Sequence, residues 1–167
     1  MLLPTYFRQP PNIGGISCPA PLCCTISRFV RFEEVDPLNI AWHGHYASYF
    51  EEARVAFGKA YGLAYLDLYA AGIVAPIKQI HIDYKHPLHF DEECRITASL
   101  FWSDAARLNF EYEITNKTSI ITTRGYTVQL FLSLTGDLYL AKPDYYEEFC
   151  KKWENGSFIG ELREWER

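Results

Sequence analysis

No cluster of lysine and arginine stands out in this chain, and the net charge is −5, so the electrostatic footprint of a nucleic-acid-binding protein is missing. No apolar run is long enough to cross a bilayer, which excludes a membrane-spanning helix. The N-terminal stretch MLLPTYFRQPPNIGGISCPAPLCC carries proline and arginine where a secretory signal needs an unbroken apolar core, so it is not read as one. The five cysteines, Cys18, Cys23, Cys24, Cys94 and Cys150, are odd in number and lack the spacing of a zinc site. Reduced thiols and a cytoplasmic location are the expectation. No internal repeat is visible.

What is present is apolar and aromatic. Apolar residues make up 49% of 167 residues, and aromatics 16%, with 12 Tyr and 11 Phe. That suffices for one domain with a core and suits β-rich packing. Residues 1–25 hold five prolines and the pair Gly14-Gly15, the composition of an irregular arm. Residues 26–154 are expected to form the domain, and 155–167 a tail.

The pattern from Thr25 to Val35 suits a first strand. HYASYFEEARVAFGKAYG then follows helical spacing, with Tyr46, Tyr49, Phe50, Ala53, Phe57, Ala60 and Tyr61 recurring at steps of three and four. About seventeen helical residues would run roughly 25 Å. Gly62 is the expected stop. A shorter helix over Tyr65 to Ala71 ends at Gly72. The chain then turns β. IVAPIKQIHIDYKHPL, ECRITASLFWS, RLNFEYEITN and TRGYTVQLFLSL read as strands, and Gly136-Asp137 as a turn into LYLAKP. In the last long strand Tyr126, Val128, Leu130, Leu132 and Leu134 alternate with Thr127, Gln129, Phe131 and Ser133. A final helix runs from about Asp144, a candidate N-cap, to Glu154. The strands follow too closely for helical crossovers, so the sheet is expected to be antiparallel, with one long helix on a face.

The candidate chemistry lies in VDPLNIAWHGHYASYFEEAR, residues 35 to 54. Asp36 precedes a proline, which by itself is a turn-maker's pattern. His43 and His45 flank a glycine and suggest metal ligands, but residues at i and i+2 share a face on a strand and diverge at a helix start. A catalytic zinc also wants a third protein ligand. His81, His86 and His89 are scattered over a strand and its proline-marked end, so no metal is expected.

This segment resembles the hot-dog fold thioesterases, in particular the 4-hydroxybenzoyl-CoA thioesterase-like group and the related acyl-CoA thioesterases of the Tol-Pal cluster. The resemblance covers about Ser27 to Trp153. It implies an α+β fold, an antiparallel sheet wrapped around one long central helix. It puts Asp36 on the family's catalytic carboxylate, His43 where a backbone N–H points at the thioester carbonyl, and Tyr46 on the tyrosine at the helix start. Glu34 stands where the family has Asp, and Asn39 where it usually has Gly. Asn tolerates a left-handed backbone better than most residues, so the turn can survive.

The implied activity is hydrolysis of an acyl-CoA to free acid and CoA. It needs a carboxylate as general base or nucleophile, and donors for the developing oxyanion. The N–H groups and dipole of a helix start can supply the donors. Asp36 and His43 are therefore the catalytic candidates. Trp42 and Tyr46 are candidates for the acyl pocket, and core packing explains them equally well. Pro76 and Ile77 are candidates on the strand that, in this fold, forms the other wall across a dimer. No metal or redox cofactor is expected. A homodimer or homotetramer is expected, since a long sheet edge favours pairing. Two other readings stay open: an acyl-carrier-protein thioesterase of a polyketide or fatty-acid pathway, and a non-catalytic acyl-binding module.

Overall fold

The structure is a computed structural model and describes Asn12–Ile13 and residues 16–158. Much of the expected arm, residues 1–11 and 14–15, and most of the expected tail, residues 159–167, lie outside the described residues. Within the arm two short strands, β1 (Asn12–Ile13) and β2 (Ile16–Ser17), pair antiparallel. The first long strand, β3 (Leu22–Phe29), starts directly after Pro21, three residues before the position expected for it, and ends before the loop rather than running to Val35.

Five strands make one antiparallel sheet in the order β3, β6, β7, β8, β5. They are β5 (Ile77–Tyr84), β6 (Glu93–Phe101), β7 (Arg107–Asn116) and β8 (Ile121–Leu130), with β3 and β5 at the edges. β4 (Ile73–Val74) and β9 (Leu132–Ser133) form a separate pair. The segment read as one strand from Ile73 is therefore broken at Ala75-Pro76. Val74 pairs with Leu132, whereas Ile77 pairs with Gln129. Among the described residues, those after Gly136 form no further strand beyond a bridge between Leu132 and Leu138.

The long helix α1 (Tyr46–Tyr61) packs on one face of this sheet, against β3 and β6. All seven residues of its apolar stripe, Tyr46, Tyr49, Phe50, Ala53, Phe57, Ala60 and Tyr61, are buried. Burying a side chain such as Phe57 contributes about 2–3 kcal/mol over leaving it in water. Gly62 ends the helix at φ +78°, a left-handed position that glycine adopts without penalty, and returns its N–H to the Gly58 carbonyl. α2 (Tyr65–Ala70) follows, and α3 (Asp144–Glu154) closes the domain. Pro143 rather than Asp144 is the N-cap of α3. Asp144 opens the first turn, where the helix dipole favours it.

The helix approaches the sheet at Gly125. A Cβ there would lie 2.5 Å from the Phe50 ring, which stacks on Tyr112 at 4.3 Å between centroids. This settles the orientation of β8. Its alternation is real, but Thr127 and Gln129 face the helix with Gly125, while Tyr126 and Val128 form a separate buried cluster on the other face. Polar residues can face inward because the aromatics of α1 and β7 fill the volume and hydroxyls pair there: Tyr112 Oη and Thr127 Oγ1 are 2.9 Å apart.

Candidate active site

Between β3 and α1 the chain makes a single 3₁₀ turn over Phe32–Glu34, a loop, and a second 3₁₀ turn over His43–His45 that runs into α1. The loop closes like a narrow hairpin. Val35 bridges to Ala41, and the Asp36 N–H donates to the Ile40 carbonyl at 2.9 Å. Asn39 sits at its tip with φ +60°, the left-handed conformation that its side-chain type tolerates.

Asp36 is half-buried on this loop. Its Oδ1 accepts the Leu38 N–H at 2.8 Å and lies 3.4 Å from the Ile40 nitrogen, an Asx turn that orients the carboxylate. Among the described residues no donor pairs with Oδ2. One oxygen is thus held by the loop and the other is available.

Seven residues on, the His43 and Gly44 N–H groups open the second turn. Neither donates to an acceptor among the described residues, whereas the His45 N–H is already bonded to the Trp42 carbonyl at 2.9 Å. Free donors at the start of a helical segment, with the dipole of a 16-residue helix behind them, are suited to a developing negative charge. Tyr84, the last residue of β5, holds this turn from outside by donating its hydroxyl to the His43 carbonyl at 2.9 Å. The Trp42 ring lies across Gly44: a Cβ at Gly44 would fall 2.0 Å from it. Both imidazoles pack on that ring, His43 at 4.8 Å and His45 at 5.5 Å between centroids.

The other expected site residues divide. Trp42 is half-exposed beside the loop. Tyr46 is buried against Tyr49 and Tyr84, and burial pushes its phenol up to about 12. Its place is in the core at the helix start, where it braces the turn. Ile77 lines a cleft of about 270 Å³ between α1 and β5, together with Ala47, Ser48, Glu51, Ile80 and Thr127. Pro76 is exposed and does not line it. A larger open cleft of about 1090 Å³ lies on the other side of α1. It is lined by residues of both charges, among them Glu52, Lys59, Arg95 and Lys117, and by none of Asp36, Trp42, His43 or Tyr46, so it is set apart from this chemistry.

The profile of the thioesterase-like superfamily matches residues 30–151. The chain belongs to that superfamily. A segment of 63 residues is 38% identical to the Bacillus subtilis (strain 168) protein described as "Putative acyl-CoA thioesterase YneP" and covers 38% of this chain. The chain spans about half the length of that relative, 46%. Among solved structures, a DHNA-CoA thioesterase from Staphylococcus aureus superposes with a TM-score of 0.71 at 24% identity, over 85% of this chain and 97% of that one. A second S. aureus protein, solved in complex with CoA, gives 0.71 at 15% identity, over 81% and 86%. At these identities the superpositions establish the hot-dog fold and nothing further.

In this thioesterase-like chain the residues that hold the loop carry no motif of their own in the sequence. Glu34 stands out there only as a departure from the family's Asp. The structure buries it against Arg28 of β3 and Tyr49 of α1. A signal was available: Arg28 follows Cys24 and Ile26 at every second position, on the inward face of the strand, and an inward arginine requires a partner. Arg54, also buried, bonds Glu51 and the hydroxyls of Tyr65 and Tyr112.

Proposed function

We propose that this protein hydrolyses an acyl-CoA thioester to the free acid and CoA, with Asp36 as general base or nucleophile and the backbone N–H groups of His43 and Gly44 as oxyanion donors. The observation that carries the reading is the free Oδ2 of Asp36 on a loop that leads directly into two unengaged N–H groups. As base, Asp36 takes a proton from water while the oxygen adds to the thioester carbonyl. The tetrahedral oxyanion rests on the N–H pair and then expels the CoA thiolate, which is reprotonated. As nucleophile, Oδ2 itself attacks the carbonyl and expels the thiolate, and water then cleaves the mixed anhydride. Label found in Asp36 after single-turnover hydrolysis in ¹⁸O-labelled water identifies the nucleophilic route, with the anhydride opened at the Asp36 carbonyl, because the general-base route puts label only into the released acid.

The cleft between α1 and β5, with Ile77 and Ile80 on its strand side, is the place proposed for the acyl group. β5 is an open edge with Ile77, Ile80 and Tyr84 each at least 40% exposed. Pairing with a second copy along this edge would cover them and complete the wall of the site. Sedimentation of the wild type tests the dimer, and a monomer at assay concentration would sink it. A cytoplasmic location belongs to the same reading. No helix of the described residues is long and apolar enough to cross a membrane.

The test is release of free thiol from aromatic, short-chain and long-chain acyl-CoAs, and from an acyl carrier protein loaded with the same groups. The likeness of a 63-residue segment to a protein described as a putative acyl-CoA thioesterase supports CoA as the carrier. Normal turnover by folded Asp36→Asn would overturn the mechanism. Binding of acyl-CoAs without cleavage would turn the reading into that of an acyl-binding module.

A further inference from the structure

Glu34 is 8% exposed, as is Arg28, and Tyr49 is fully buried. The Glu34 carboxylate is engaged from three directions. Oε1 accepts Arg28 Nη2 at 2.5 Å; Oε2 accepts the Arg31 N–H at 2.8 Å and the Tyr49 hydroxyl at 3.0 Å. The Arg28 guanidinium lies 4.1 Å from the centre of the Tyr49 ring and also reaches Glu52 of α1 at 3.1 Å. The Glu34 carbonyl meanwhile accepts the Trp42 N–H at 2.8 Å. One residue therefore ties β3, the first 3₁₀ turn, α1 and the far limb of the loop.

The last of these bonds has the most consequence. It closes the stem of the loop, with Asp36 two residues beyond it on one limb and His43 one residue beyond it on the other. Whatever fixes Glu34 fixes the separation between the carboxylate and the oxyanion donors. Stability alone is a poor reason for such a cluster, because replacing a buried ion pair by apolar groups of similar volume is often neutral or stabilising. What apolar groups lack is direction, and three bonds converging on one carboxylate, from β3, the first 3₁₀ turn and α1, supply it.

We propose that Glu34, held by Arg28 and Tyr49, is a positioning residue that sets the register between Asp36 and the N–H groups of His43 and Gly44. This rests on the reading of Asp36 as the reacting carboxylate. Glu34 touches no substrate and acts through the loop.

Two variants test it, Glu34→Gln, which removes the charge, and Tyr49→Phe, which removes one donor and keeps the ring under Arg28. Steady-state kinetics are read beside hydrogen exchange of the loop. Glu34→Gln is expected to lower kcat by about a hundred-fold, the scale of an ångström of misplacement. KM should stay within about threefold, because an effect on the reacting geometry leaves ground-state binding in place. The Leu38 and Trp42 amides should exchange faster while the paired amides of β6 and β7 do not. Tyr49→Phe should give a smaller change of the same kind. It takes over as the test if Glu34→Gln does not fold. A folded Glu34→Gln with kcat within about twofold of wild type, or exchange that accelerates equally in β6 and β7, overturns the proposal. Wild type that cleaves no thioester overturns the hydrolase reading instead. Exchange then decides by itself whether Glu34 holds the register.

Discussion

Glu34 and Asp36 are two carboxylates two residues apart, and the fold treats them in opposite ways. Glu34 is buried and has both oxygens engaged, by an arginine, a backbone N–H and a tyrosine. Asp36 is half-buried, with one oxygen in an Asx turn and the other free. The difference separates anchoring from reacting. A carboxylate with both oxygens engaged and its pKa held down can anchor a loop but is a poor base near neutral pH. One with a free oxygen can react, provided that something else holds it still. The largest expected effect breaks the pair on the reacting side. Asp36→Asn keeps an oxygen for the Leu38 N–H and should lower kcat by about 10²–10⁴-fold, while urea unfolding shifts by no more than about 0.5 kcal/mol. Thiol release and urea titration on the same preparation check both halves.

Glu34→Ala should do the reverse and strike stability first. Removing one partner of a buried pair leaves Arg28 with only the partly exposed Glu52 to balance it, and the expected loss is about 3–5 kcal/mol in urea unfolding. Adding Arg28→Met to Glu34→Ala should recover part of that loss, since no buried charge is then left alone. If the double variant is as unstable as the sum of the two single ones, the residues are not coupled as described.

Acid sharpens the same contrast. Burial pushes the Glu34 carboxyl up, but the Arg31 N–H, the Arg28 hydrogen bond and charge, and the Tyr49 hydroxyl outweigh it and hold the group below the usual carboxylate range. A lowered folded value means that the contribution to stability is fully present above the unfolded value, about 4.3 for Glu. It is lost as pH falls through the folded value. Wild type should therefore lose thermal stability from about pH 4 downward more steeply than Glu34→Gln does. Melting temperatures between neutral and acid pH decide it. Parallel curves would show that Glu34 is not the titrating anchor.

How much of this could be seen in the sequence follows the range of the interactions. The helix over Tyr46–Tyr61 was legible because its apolar stripe is a local period, and β7 because RLNFEYEITN alternates without interruption. The left-handed turn at Asn39 was legible from residue type. The break at Ala75-Pro76 was not, since it arises from a change of partner, from β9 to β8, more than fifty residues away. Nor was the inward face of β8, which is decided by where the Phe50 ring lands on Gly125. The Asp36 loop matched a family pattern. The Glu34 anchor did not stand out, because its meaning depends on Tyr49, one residue on a helix whose rotation only packing fixes.

The smallest expected effect probes the Asp36 side without touching the anchor. Asn39 holds the loop tip at φ +60°, and its carbonyl lies 3.2 Å from His89 Nδ1. Asn39→Ala puts a Cβ residue without a compensating side chain into the left-handed region and should cost about 1 kcal/mol. Asn39→Gly removes that strain and should stay within about 0.5 kcal/mol of wild type. Neither change reaches the Glu34 stem, so a loop anchored there should absorb the strain at its tip. Asn39→Ala should then lower kcat by no more than about tenfold, well short of the hundred-fold set for the loss of the stem. If Asn39→Ala proves as damaging to kcat as Glu34→Gln, the tip and not the stem controls where Asp36 sits. The two carboxylates would then be neighbours in sequence without being parts of one device.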